Sequence, residues 1–202
     1  MNAFPRSASS QVMTAPAPHP AGVDFLPLKG TDHVEFYVGN ARQAAYFYRA
    51  AMGMSLVAYA GPETGMRDRA SYVVQQGKIR FVLTTALRSG NAIAEHTARH
   101  GDGVRAIALW VDDARCAWEE TTSRGAVSVA EPYVLSDQQG TAVLASIQAY
   151  GDTIHTFVER GGYRGVFLPG FRAIDNDPIA RPTGRTLAPS AANAWSVQSH
   201  PE

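Results

Sequence analysis

The feature that most constrains this chain is an internal repeat. The run Val38-Gly39-Asn40-Ala41-Arg42 returns as Val111-Asp112-Asp113-Ala114-Arg115, 73 residues later. Each time the run closes a strand-like stretch and opens a helix-like one. The segments that follow give both copies the order β-α-β-β-β. A supersecondary unit of this kind cannot close a core alone, so two copies are expected to pair their sheets around a shared cavity. The expected class is α+β, with two paired βαβββ modules forming one open barrel.

The first copy starts with a strand over Asp32–Val38, where β-branched and aromatic residues cluster. Asn40 is the predicted N-cap of a helix over Ala41–Met52, which Gly53 ends. Strands follow at Leu56–Ala60, Arg69–Gln75 and Ile79–Thr84, the last two around the short loop Gln76-Gly77-Lys78. Ile93–His100 reads as a connecting helix. The second copy has a strand at Val104–Val111 and a helix capped by Asp112 or Asp113 that runs to Arg124. Strands at Ala126–Ala130, Thr141–Ala149 and Thr153–Val158 complete it. The modules are expected at about 30–84 and 85–160, inside an ordered domain spanning 25–171.

Either side of that domain the pattern lapses. The leader, 1–24, carries Pro5, Pro16, Pro18 and Pro20 and lacks the apolar core of a secretory signal. The tail, 172–202, has four prolines and little apolar periodicity. Both are expected to be disordered, since neither buries enough surface to offset its ordering entropy. Lys+Arg and Asp+Glu balance at 18 each, which removes the basic footprint of a nucleic-acid or anionic-membrane binder. No apolar run approaches the ~20 residues of a membrane span. A single cysteine, Cys116, permits no internal disulfide and is expected to be a small buried helix residue. The expected location is the cytoplasm.

More specific segments narrow the class. Val38-Gly39-Asn40-Ala41-Arg42-Gln43-Ala44-Ala45, Gly61-Pro62-Glu63-Thr64-Gly65 and Phe81-Val82-Leu83-Thr84 occur in that order. His100-Gly101-Asp102-Gly103-Val104, Tyr150-Gly151-Asp152-Thr153-Ile154-His155-Thr156 and Phe167-Leu168-Pro169-Gly170-Phe171 come after them. With their spacing, from about Phe25 to Phe171, they resemble the N-terminal half of the 4-hydroxyphenylpyruvate dioxygenase family, within the vicinal-oxygen-chelate superfamily. The related hydroxymandelate synthases resemble the chain less well around the Gly-Asn-Ala helix start and the Leu-Pro-Gly-Phe stretch. The resemblance implies Fe(II)-dependent conversion of 4-hydroxyphenylpyruvate, a small aromatic 2-oxo acid, to homogentisate in tyrosine breakdown. It also implies that the iron site sits in a C-terminal barrel outside this chain. The chain is therefore expected to hold no cofactor and no catalytic residues of its own. Its expected partners are a separately encoded catalytic half or further copies of itself. A small-aromatic-ligand binding or oligomerisation module is the alternative.

A non-haem iron triad needs two His and one carboxylate. His33 lies on the first strand, where a ligand-bearing barrel would place its first His, but its repeat mate is Ala106. Thr156 falls at the expected carboxylate position, and by the 73-residue offset pairs with Leu83. Strand alternation points His155 away from Thr156. A one-residue slip would instead allow a vestigial His33–His155–Glu159 site. His96 and His100 have the i, i+4 spacing of a helical ligand pair, but read better as a helix end. Arg67, Asp68 and Arg69 read as a solvated loop, and Trp110 and Trp118 as core or interface.

Overall fold

The structure is a computed structural model in which residues 24–175 are described. The expectations for the leader and tail therefore lie almost wholly outside the described residues. The described part falls into two compact units, one of 24–36 with 102–170, the other of 37–101 with 171–175.

In the first unit, strand β1 (Gly30–Tyr37) lies beside β5 (Gly103–Trp110). Helix α3 (Ala114–Ser123) follows β5, and then come β6 (Ser128–Asp137), β7 (Gly140–Gln148) and β8 (Ile154–Glu159). The strand order is β6-β7-β8-β5-β1. β5 and β8 run parallel, while β6–β7 and β7–β8 are antiparallel hairpins. One face of this sheet packs on α3. Phe157, 1% exposed, and the buried Ala145 and Ile147 meet Ala114 and Ala117 of the helix. Asp113 caps α3, its carboxylate accepting from the Cys116 backbone N–H at 2.8 Å. That settles the choice between Asp112 and Asp113.

In the second unit, helix α1 (Ala41–Met52) packs on β2 (Ser55–Ala60), β3 (Arg69–Gln76) and β4 (Ile79–Ala86). Asn40 caps α1 through the Gln43 backbone N–H at 3.1 Å. Ala41 and Ala45 are the buried side chains of the helix, small enough to bring it close to the sheet. Helix α2 (Ala92–His100) packs on β4 with Ile93 buried. The strand order is β4-β3-β2-β9, with β9 the two residues Arg172–Ala173.

The two units divide the residues differently from modules at about 30–84 and 85–160, with most of β1 grouped with β5 and α2 packed on β4. Two expectations are corrected. The tail was expected to begin at Arg172, yet Arg172 and Ala173 pair with Tyr59 and Ala58 of β2, and the Ile174 N–H donates to the Val57 carbonyl at 3.1 Å. Cys116 is exposed rather than buried, because Ala114 and Ala117 take the inner face of α3. A further difference is one of length. β6 runs on to Asp137 through two irregularities in its pairing with β7, around Ala130 and Pro132. Pro132 cannot donate to a ladder, and an edge strand tolerates it.

Candidate functional site

β1 brings His33 into a closed polar cluster. His33 Nδ1 lies 2.6 Å from Asp32 Oδ1, and both residues are buried. The same oxygen accepts from Arg160 Nη2 at 2.7 Å. Arg160 follows β8 directly, and its Nη1 donates to the Phe167 carbonyl at 2.8 Å. The Phe167 ring meets His33 edge-on at 5.0 Å and lies 5.3 Å from the Arg160 guanidinium. A carboxylate beside Nδ1 favours the tautomer that carries its proton there.

The other two ligand candidates are engaged elsewhere. Glu159 Oε2 accepts from the Ala114 backbone N–H at 3.1 Å, so this carboxylate serves the positive N-terminal end of α3. His155 is paired in register with Ile147 of β7 and Ile107 of β5. By alternation it shares the face of Phe157, which packs on α3. Its Nδ1 is buried and meets no hydrogen-bonding group. Thr156, on the opposite face, exchanges a 2.9 Å hydrogen bond with Ser146. The unslipped register therefore holds. Among the described residues, His33, His155 and Glu159 do not converge as a ligand set. The donors of this unit do not fit a two-His, one-carboxylate iron site.

The repeat mate of Thr156 also changes. In the second unit Ser71 and Thr84 face each other across β3 and β4 with a 2.9 Å hydroxyl hydrogen bond. This is the same arrangement as Ser146 with Thr156. The mate of Thr156 is thus Thr84, not Leu83. The two hydroxyl partners lie 13 residues apart in one hairpin and 10 in the other, so a fixed offset of 73 drifts out of phase by the last strand. All four residues are buried. Each pair satisfies its own hydrogen bonds without an ion.

A second polar cluster lies at β2. The Tyr59 hydroxyl donates to Glu63 Oε2 at 2.5 Å, and the Arg172 guanidinium sits 5.2 Å over the Tyr59 ring. Burial, reinforced by the Glu63 hydrogen bond, pushes the Tyr59 hydroxyl up to about 12 from 10.0. The same hydrogen bond holds the exposed Glu63 carboxyl below its ordinary 4.5. For Tyr59 the folded value lies above the unfolded one, so its contribution is complete below pH 10 and lost as pH rises toward 12. Glu63 has the opposite sign. Its contribution is present above pH 4.5 and lost as pH falls through the lowered value. Tyr59→Phe is expected to lower stability by about 1 kcal/mol at neutral pH and to flatten the alkaline loss between pH 10 and 12. Urea titrations at pH 7, 10 and 11.5 measure both effects.

Among the other sequence candidates, His96 and His100 stack at 4.8 Å along α2, and Tyr37 meets His96 edge-on at 5.3 Å. Asp68 and Arg69 are half exposed, as a solvated loop should be. Trp118 packs beside the α3 core, whereas Trp110 is 41% exposed with Lys29 5.9 Å over its ring. Sequence reasoning missed Asp32 and Arg160. An acidic residue directly before a strand histidine, with an arginine just past the last strand of the repeat, was the available signal.

A β-α-β-β-β order repeated once along the chain is the arrangement of the vicinal-oxygen-chelate class. The solved structures agree. A triple mutant of 4-hydroxymandelate synthase from Streptomyces coelicolor superposes with a TM-score of 0.67 at 30% identity, over 80% of this chain and 45% of that one. Methylmalonyl-CoA epimerase from Mycobacterium tuberculosis, at 20% identity and a TM-score of 0.56 over 68% of this chain and 91% of that one, shares the fold alone. The family described as "Hydroxyphenylpyruvate dioxygenase, HPPD, N-terminal" matches residues 21–169. The chain belongs to that family. It is similar to 4-hydroxyphenylpyruvate dioxygenase of Yarrowia lipolytica, 46% identical over 75% of this chain and 40% of the relative. The Aspergillus fumigatus protein of the same name is 41% identical over 86% of this chain and 47% of the relative. The chain thus spans under half the length of these curated relatives.

Proposed function

We infer that this chain supplies the non-catalytic N-terminal half of a 4-hydroxyphenylpyruvate-dioxygenase-type protein, acting in tyrosine breakdown in the cytoplasm. The observation that carries the reading is the family match over residues 21–169, at 41–46% identity to relatives of more than twice its aligned length. No helix among the described residues is long and apolar enough to cross a membrane. In the family Fe(II) supplies the oxidative chemistry on the 2-oxo acid. The residues here take no part in holding it, since Glu159 serves α3, His155 faces the helix and Thr156 bonds Ser146. What the chain contributes is a folded platform for the half that carries the iron, on the same polypeptide, on a separate one or within a homo-oligomer.

The purified chain is expected to bind Fe(II) far below one equivalent and to consume no O2 with 4-hydroxyphenylpyruvate. Adding a separately expressed iron-bearing half from a relative is expected to restore uptake. Stoichiometric iron and turnover in the chain alone would overturn the reading. The match to a hydroxymandelate synthase keeps that lineage as a second reading, with the same division into halves. A stand-alone ligand-binding module predicts instead saturable binding of the aromatic 2-oxo acid by the purified chain without iron.

A further inference from the structure

We propose that segment 161–170 is a strap held on its module by one part-buried ionic clasp, Arg160 with Asp32 and His33 around Phe167, and that opening this clasp releases the strap from the module. The strap is glycine-rich, with Gly161, Gly162, Gly165 and Gly170 among ten residues. Glycine loses the most backbone freedom on ordering, so a segment of this composition stays in place only where it is anchored.

The anchors are of two kinds. At the surface, Tyr163 bridges Gly140, its hydroxyl donates to Asp137 at 2.9 Å, and the Arg164 N–H donates to the Gln139 carbonyl at 3.0 Å. Deeper in, Phe167 and Leu168 are 1% and 6% exposed, and the Phe167 carbonyl is taken by Arg160. The guanidinium is in turn held by Asp32, 128 residues earlier on β1. The clasp therefore ties the strap to the first strand of the ordered chain. Charge-assisted bonds shielded from water are strong, and removing one partner of such a pair is costly. Solvent-exposed bonds such as that of Tyr163 contribute less. The clasp, with the buried Phe167 and Leu168, thus holds the strap more firmly than its surface bonds do. Immediately after the strap, Arg172 and Ala173 enter β9 on β2.

Hydrogen exchange measured by mass spectrometry on the full chain tests the clasp. In Arg160→Met, amides of 163–170 are expected to exchange about 100-fold faster, while those of β2–β4 keep wild-type protection. Asp32→Asn, which keeps the shape and the acceptor oxygen but loses the charge, is expected to give a smaller loss confined to the same amides. Unchanged protection of 163–170 in Arg160→Met would overturn the proposal. So would equal loss through all of β5–β8 in Asp32→Asn. Should Arg160→Met fail to fold, Asp32→Asn decides alone: selective loss supports the clasp, and no loss or uniform loss sinks it. The readout uses no iron and no second half, so it fails or succeeds independently of the O2-uptake measurement.

Discussion

Thr156→Glu is expected to destabilise the chain by about 3–5 kcal/mol at pH 7, without creating a tight Fe(II) site. Thr156 is 8% exposed, and its hydroxyl is spent on Ser146 at 2.9 Å. A glutamate there buries a carboxylate, removes the hydroxyl partner and adds volume between β7 and β8. Burial raises a carboxyl's folded pKa above its unfolded value, so the folded variant holds its proton longer than the unfolded one. The sign follows. The deficit is smallest at acid pH, below the unfolded carboxylate value of roughly 4.3, and grows as pH rises through the raised folded value. Urea titrations of wild type and variant at pH 4.5 and 7.5 should show the gap widening with pH. The reverse trend, or micromolar Fe(II) binding by the variant, would show that this position retains the surroundings of a metal ligand. The structure argues against that, because the side chains nearest in sequence that bear ligands, His155 and Glu159, face α3.

Much of the fold was legible because the repeat is written in local signals. Asn40 and Asp113 cap their helices with side-chain bonds of 3.1 and 2.8 Å, and α1 runs over Ala41–Met52 as its periodicity and Gly53 predict. The alternation that separates His155 from Thr156 is a property of any extended strand, so the faces of β8 could be read without coordinates. What escaped was whatever depends on long-range register. The hydroxyl mate of Thr156 was misplaced by one residue, since the two hairpins differ in length and an offset set at the helix starts does not survive to the last strands. Asp32 and Arg160 escaped for a related reason. Their bond joins positions 128 apart, and the local signal at each, an acid beside a strand histidine and an arginine past the last strand, does not say that the two meet. β9 was missed because two residues carry no periodicity, and only pairing with β2 defines them.

Gly140→Ala is expected to cost about 2–4 kcal/mol, through backbone conformation and a clash acting at one atom. Gly140 has φ +124°, a value that L side chains rarely adopt. An added Cβ would stand 2.2 Å from the Gly162 carbonyl oxygen and 3.3 Å from the Tyr163 Cα. Both obstacles are backbone, and the strap that carries them is bridged to Gly140 itself. Neither side can yield without breaking the bridge, so the substitution must tilt the β6–β7 hairpin tip or lift the strap at Tyr163. Gly151 separates the two contributions. It also has positive φ, +51°, but nothing lies within 4 Å of its Cβ position. Gly151→Ala is therefore expected to cost only about 1 kcal/mol, from conformation alone. The difference between the two variants in urea titration measures the contact between hairpin tip and strap. If the strap yields first, the Tyr163 and Arg164 amides lose protection while the Arg160–Phe167 bond keeps the deeper end in place, and the cost of Gly140→Ala is capped at the free energy of undocking the tip. Equal costs for the two alanines would mean that the tip and strap are not in firm contact, and would assign the strap's hold to the Arg160 clasp alone.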